Sequence, residues 1–134
     1  MGRETALKQV QNYFRDGEEL IDFFSAQKPL SIWWLLILGP LSPMLLNTYY
    51  VAVTDLGVYF FERSFLGKIQ DHQFYSYQDI ERLKVGEGQF AIPLKYFFKD
   101  GSRLLIHAQK RGTKRVAKIG EKGLHHLQSH IRAA

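Results

Sequence analysis

The sequence predicts a mainly β domain, an α+β chain of about seven antiparallel strands with one helix at each end. Three observations carry the prediction. From Thr48 onward, short runs rich in β-branched and aromatic residues are separated by turns containing Gly or Asp. In FAIPLKYFFKD (90–100), Ile92, Leu94, Tyr96 and Phe98 alternate with Pro93, Lys95, Phe97 and Lys99, the two-residue period of a strand. Beyond residue 112 the apolar period becomes helical.

The elements follow in order. Leu7, Val10 and Phe14 share helical spacing and Gly17 is a stop, which predicts a helix over 1–16. EELIDFFSAQ (18–27) fits strand or helix by pattern; its length and the preceding Gly17 favour a strand. TYYVAVTD (48–55), VYFFERS (58–64), KIQDHQFYSY (68–77) and DIERLKV (79–85) are strands, with breaks at Asp55-Leu56-Gly57, Phe65-Leu66-Gly67 and Gly86-Glu87-Gly88. Asp100-Gly101 is a hairpin signal before RLLIHAQ (103–109), in which Leu104, Ile106 and Ala108 oppose Arg103, Leu105 and His107. Val116, Ile119, Gly120, Gly123, Leu124, Leu127 and Ile131 form a stripe over 112–132, with Thr113 as N-cap. Gly120 and Gly123 each cost about 1 kcal/mol in a helix interior, so both are expected where the helix backbone approaches a sheet closely.

Composition narrows the function. With 134 residues, 46% hydrophobic and 23% charged, the chain suits a single domain, 1–134, with one closed core. A formal charge of +5 favours anionic partners, nucleic acid or acidic lipid. The absence of cysteine excludes disulfides and thiolate chemistry. Residues 1–28 are charge-rich and lack a signal-peptide pattern, and Ala6 occupies the position where a myristoylation signal needs Ser or Thr. The expected compartment is cytoplasmic, with peripheral attachment to the inner face of the membrane left open by residues 29–46.

Several turn signals occur in a fixed order: Thr54-Asp55, Gly67-Lys68, Tyr77-Gln78-Asp79-Ile80 and Asp100-Gly101, then a terminal helix. Over roughly residues 17–132 this order resembles the bacterial pleckstrin-homology-like (PH-like) domains. The resemblance implies two near-orthogonal antiparallel sheets closed at one end by the C-terminal helix, over residues 17–110, with the N-terminal helix as an addition. It also implies that residues 29–46 form the loop between the first two strands, at the open end beside the 64–68 and 99–102 loops. Lipid-binding PH domains use a Lys near the end of the first strand and a basic cluster early in the second. Lys28 matches the first, but Thr48-Tyr49-Tyr50-Val51 holds no basic residue, against specific phosphoinositide recognition.

The open-end segment PLSIWWLLILGPLSPMLL (29–46) carries no charge. As a helix, Leu30 to Leu46 would reach about 26 Å, short of the roughly 30 Å hydrocarbon core. Gly39-Pro40 and Ser42-Pro43 interrupt it, and a span would separate the first strand from the rest. An apolar hairpin loop is expected instead. Its candidate contacts are Ile32, Trp33, Trp34, Leu35, Leu36, Ile37, Leu38, Leu41 and Met44, with Phe65 and Leu66 from the neighbouring loop. They would be covered by a protein partner, a second copy, the N-terminal helix or a membrane. Lys28, Arg63, Lys68, Lys99 and Arg103 would face an anionic surface, each contributing about 1 kcal/mol near acidic lipid. Glu62 and Asp100 partly offset them.

The leading expectation is a non-enzymatic binding or scaffolding module acting through 30–46, either on a protein partner or as a homo-oligomer. Peripheral membrane anchoring by that loop is the alternative. Nucleic-acid binding by the basic run Lys110 to Lys122 comes third, because no aromatic interleaves those charges. His126 and His130, four apart beside His125, have metal-like spacing, but only Glu121 is near and a solvated helix face explains them. No catalytic residue, metal or cofactor is implied.

Overall fold

The computed structural model describes residues 3–27, 48–63, 69–88, 91–110 and 119–133. Helix α1 (Arg3–Gln11) precedes strands β1 (Leu20–Gln27), β2 (Thr48–Thr54), β3 (Gly57–Arg63) and β4 (Ile69–Ser76). A single 3-10 turn, Tyr77–Asp79, leads into β5 (Ile80–Val85), β6 (Ala91–Phe98) and β7 (Arg103–Gln109), followed by helix α2 (Glu121–His130). All strands are antiparallel neighbours in the order β4-β3-β2-β1-β7-β6-β5. This is the mainly β, PH-like architecture with a helix at each end, and residues 18–27 belong to the strand alternative.

The two expected sheets are one hydrogen-bonded sheet. The β1–β4 and β5–β7 halves join at two residue pairs, Ala26↔Ala108 and Gln27↔His107. The halves then fold face to face over a shared core in which Phe24, Val51 and Val53 meet Leu94, Tyr96 and Ile106. Rings close the gap between the halves: Phe60 meets Tyr96 at 5.1 Å and Tyr75 stacks on Phe98 at 4.0 Å.

A second core lies on the other face of β1–β3. Phe23, Tyr50, Ala52, Tyr59 and Phe61 alternate with the interior residues and are covered by Ala6 and Val10 of α1. The runs FF, YYVAV and VYFF are thus apolar on both faces because both faces are buried.

Both helices differ in extent from the sequence prediction. After Gln11, the bonds from Tyr13 N–H to the Val10 carbonyl and from Phe14 N–H to the Gln11 carbonyl span three residues, so the chain tightens into turns before Gly17. At the other end, Ile119 N–H still donates to the Gln109 carbonyl at 2.8 Å, continuing the β7 pairing, and Gly120 is extended (φ −94°, ψ 158°). Within the described residues α2 therefore starts at Glu121; Thr113 lies outside them.

Asp22 sets that start. A bulge between Leu20 and Asp22 offsets the β1–β2 register, and the Asp22 carboxylate accepts the Gly120 N–H at 2.8 Å. It supplies, from 98 residues away in sequence, the acceptor for the N-cap N–H that the side chain at the third helical position of a capping box normally provides. A Cβ on Gly123 would stand 2.2 Å from Asp22 Oδ2, so the expected close approach of helix to sheet is found there.

Candidate interaction surface at the barrel mouth

Register brings the predicted contact loops to one place. Gln27 pairs with Thr48, Thr48 with Arg63, and Arg63 with Ile69, so segments 28–47 and 64–68 leave the same end of the β1–β4 half. Beside this end is a cleft of about 90 Å³ lined by Tyr49, Phe60, Glu62, Asp71, His72, Gln73 and, from β7, Leu104. It is far below the roughly 300 Å³ at which drug-sized ligand pockets begin, which argues for a contact surface over a small-molecule site.

The interior lining of the mouth is acidic. Tyr49 opposes Glu62, and Glu62 opposes Asp71 across β3 and β4. Like charges placed directly opposite destabilise a strand pair. Burial, and after it the Glu62 carboxylate, raises the Tyr49 phenol above its ordinary range.

Of the predicted cations, the side chains of Lys99 and Arg103 fall within the described residues. Lys99 is exposed at the β6–β7 turn, where Asp100 accepts hydrogen bonds from the Ser102 N–H and hydroxyl that lower its own pKa. Gly101, at φ +90°, makes this hairpin possible. Arg103 turns away from the mouth, and its guanidinium carbon lies 5.8 Å from the centroid of the Phe97 ring on the outer face of β6. Arg63 ends β3, with its side chain outside the described residues, as are all the predicted contacts from Lys28 to Met44, together with Phe65, Leu66 and Lys68.

Two of the motif residues behind the resemblance, Thr54 and Tyr77, hold the opposite end together. Thr54 Oγ1 accepts from the Leu56 and Gly57 N–H groups and donates to Glu18 at 2.5 Å. Tyr59 also donates to Glu18, at 2.7 Å, and Tyr77 donates to the Thr54 carbonyl at 2.5 Å. Burial, then the carboxylates of Asp55 and Glu18, push the Tyr77 phenol well up. Thr54 and Tyr77 are thus structural, linking the β2–β3 turn to the 3-10 turn before β5.

Next to Tyr77, the rings of His126 and His130 stack at 4.1 Å, and Tyr77 lies 4.9 Å from His130. His126 Nε2 is buried; burial, and then the charge of His130, lower its pKa, against the opposing pull of the Thr54 backbone and Asp55. Among the described residues, no group of three His, Asp or Glu side chains is placed to hold a metal ion, and no helix is long and apolar enough to cross a membrane.

No family model matches the chain, and no curated protein sequence matches it. In structure it is similar to the hSac2 domain from human phosphoinositide phosphatase Sac2, with a TM-score of 0.57 over 100% of this chain and 90% of that one, at 15% identity. At that identity the likeness establishes the shared fold.

The sequence reading missed the acidic interior of the mouth. Glu62 and Asp71 sit in separate strands, and their opposition depends on the β3–β4 register. The signal was present as charged residues at interior-facing positions of two adjacent strands.

Proposed function

We propose that this chain is a non-enzymatic binding module of the bacterial PH-like kind that contacts a protein partner, or a second copy of itself, through the apolar segment 30–46 at the barrel mouth. The observation that carries the proposal is the two-faced burial of β1–β3. Their inner face belongs to the barrel core and their outer face is covered by Ala6 and Val10 of α1, both fully buried. The apolar stripe of α1 is therefore committed to its own sheet. Among the described residues, the exposed large apolar side chains are Tyr13 and Leu56, neither part of an apolar patch matching 30–46.

A protein surface is favoured over acidic lipid by charge. Glu62 and Asp71 line the mouth, and Arg103 lies beside Phe97 on the outer face of β6. An anionic leaflet would be repelled by those carboxylates, whereas a protein partner can present a complementary rim.

Light scattering in detergent-free buffer tests the proposal. The wild type is expected to form a stoichiometric oligomer or a stable complex with a partner, and Trp33→Ser/Trp34→Ser to abolish it with the thermal midpoint unchanged. A monomer at high concentration that floats with anionic liposomes, and loses flotation in the double variant, would establish the membrane alternative instead.

A further inference from the structure

The two helices leave the outer face of β5–β7 uncovered. Helix α1 lies on the outer face of β1–β4, and α2 packs Leu127 and Ile131 into the interior core. Strand register sorts the β5–β7 outer face into two complete rows. Arg82 opposes Phe97, which opposes Arg103; Lys84 opposes Lys95, which opposes Leu105. Four cations therefore surround one aromatic ring and one leucine, at spacings of about 5 Å across strands and about 7 Å along them.

The details mark this as more than a solvated face. Arg82, Lys84 and Arg103 are exposed, while Phe97, Lys95 and Leu105 are half-buried in the sheet plane. Lys95 Nζ stands 5.3 Å and the Arg103 guanidinium carbon 5.8 Å from the Phe97 ring centroid. Lys84 and Lys95 are directly opposite, an arrangement that costs stability. No carboxylate occupies either row; the nearest by register is Glu81, the extra residue of the β5 bulge. Of a chain carrying a formal charge of +5, four cations gathered on one face without a paired acid make a concentrated positive field.

We infer that this face binds single-stranded nucleic acid, with Arg82, Lys84, Lys95 and Arg103 neutralising phosphates and Phe97 stacking a base. A cationic groove or face with an interleaved aromatic is what sequence-tolerant single-strand binding requires. A membrane surface fits less well. Peripheral insertion needs apolar side chains projecting beyond the charges, and Phe97 and Leu105 are half-buried while Arg82, Lys84 and Arg103 are exposed. The site is separate from the mouth and independent of the proposal made for it.

Fluorescence anisotropy with labelled oligouridine and oligoadenine tests the inference on the full chain. Neutralising four phosphates predicts a slope of log K against log salt of about −3, so raising salt from about 50 to about 200 mM should weaken binding about 50-fold. Lys84→Glu/Arg103→Glu should at least halve that slope. Phe97→Leu, which keeps the packing and removes the ring, should weaken binding about tenfold while leaving the slope unchanged. Lys114→Glu/Lys118→Glu should change little. Circular dichroism establishes that each variant is folded. The inference is overturned if the wild type gives no anisotropy change at low salt, or if only the Lys114/Lys118 variant loses binding. It is equally overturned if anionic phosphatidylserine vesicles are bound and the oligonucleotides are not.

Discussion

The two halves of the sheet are built from strands of similar length but meet their surroundings in opposite ways. In β1–β3 both faces are apolar and both are covered, one by the barrel core and one by α1. In β5–β7 the inner face is apolar, and the outer face presents Arg82, Lys84, Lys95 and Arg103 around Phe97 and Leu105. The first half therefore carries stability on two sides, whereas the second is free to carry charge on one. That difference predicts where substitutions should hurt.

The largest effect is expected from Phe61→Ala. Phe61 is fully buried in the outer core, stacked on Tyr59 at 5.7 Å. Its truncation should cost about 3–5 kcal/mol in urea unfolding. Leu105→Ala, at an outer position of the other half, should cost below about 1 kcal/mol. Equal losses at the two sites would mean that α1 does not seal the first half as described.

Second in size is the contact that ties α2 to β1. Replacing a helical glycine with alanine ordinarily gains about 1 kcal/mol. At Gly123 the added methyl would overlap Asp22, and Gly123→Ala should instead destabilise by about 1–3 kcal/mol. Asp22→Ala removes the acceptor for Gly120 and should cost about 1 kcal/mol. The double variant should be less destabilised than the sum of the two, because the second substitution makes room for the first. Strict additivity in a thermal-unfolding cycle would refute the packing argument.

These contrasts also explain what could be read in advance. Seven strands and the β6 and β7 alternations follow from local pattern, because a two-residue period and Gly or Asp turns are local properties. The Gly120 and Gly123 positions signalled a close approach, and Gly123 makes one. The start of a helix at Glu121 is not legible locally, because the acceptor for Gly120, Asp22, is supplied by another strand; the expected start near Thr113 lies outside the described residues. The cationic grid escaped for the same reason: Lys95 and Phe97 were seen to alternate with the core, as was Arg103, but the rows exist only when three strands are in register. Arg103 stands beside the Asp100-Gly101 turn in sequence, and only the register shows that it shares the outer face with Phe97. The apolar 29–46 segment was the strongest signal in the sequence, and it lies outside the described residues.

A smaller effect is expected from pH, at the seam between the halves. The folded state lowers the pKa of His126 through burial and the neighbouring His130. A histidine with a depressed folded pKa takes up its proton more readily when unfolded. Stability should therefore be full above the ordinary histidine value of about 6.5, fall as pH drops through it, and level off below the folded pKa. His126→Gln should flatten the fall in urea midpoint between neutral and mildly acidic buffer. An unchanged slope in that variant would place the acid sensitivity elsewhere.

The smallest effect probes the charged half itself, and its sign matters more than its size. Lys84 and Lys95 oppose one another across β5 and β6 without a carboxylate in their row. Lys84→Gln should raise stability by about 0.2–0.5 kcal/mol at low ionic strength, by relieving like-charge repulsion. The gain should shrink with added salt, since the side chains are solvated and the Debye length falls to about 8 Å at physiological ionic strength. The same substitution should weaken oligonucleotide binding. Stabilisation together with weaker binding would identify Lys84 as a residue whose placement serves the surface at the expense of the fold. A loss of stability would show that Lys84 is held by its aliphatic stem against the sheet, and that the outer face of β5–β7 is, like that of β1–β3, part of the packing.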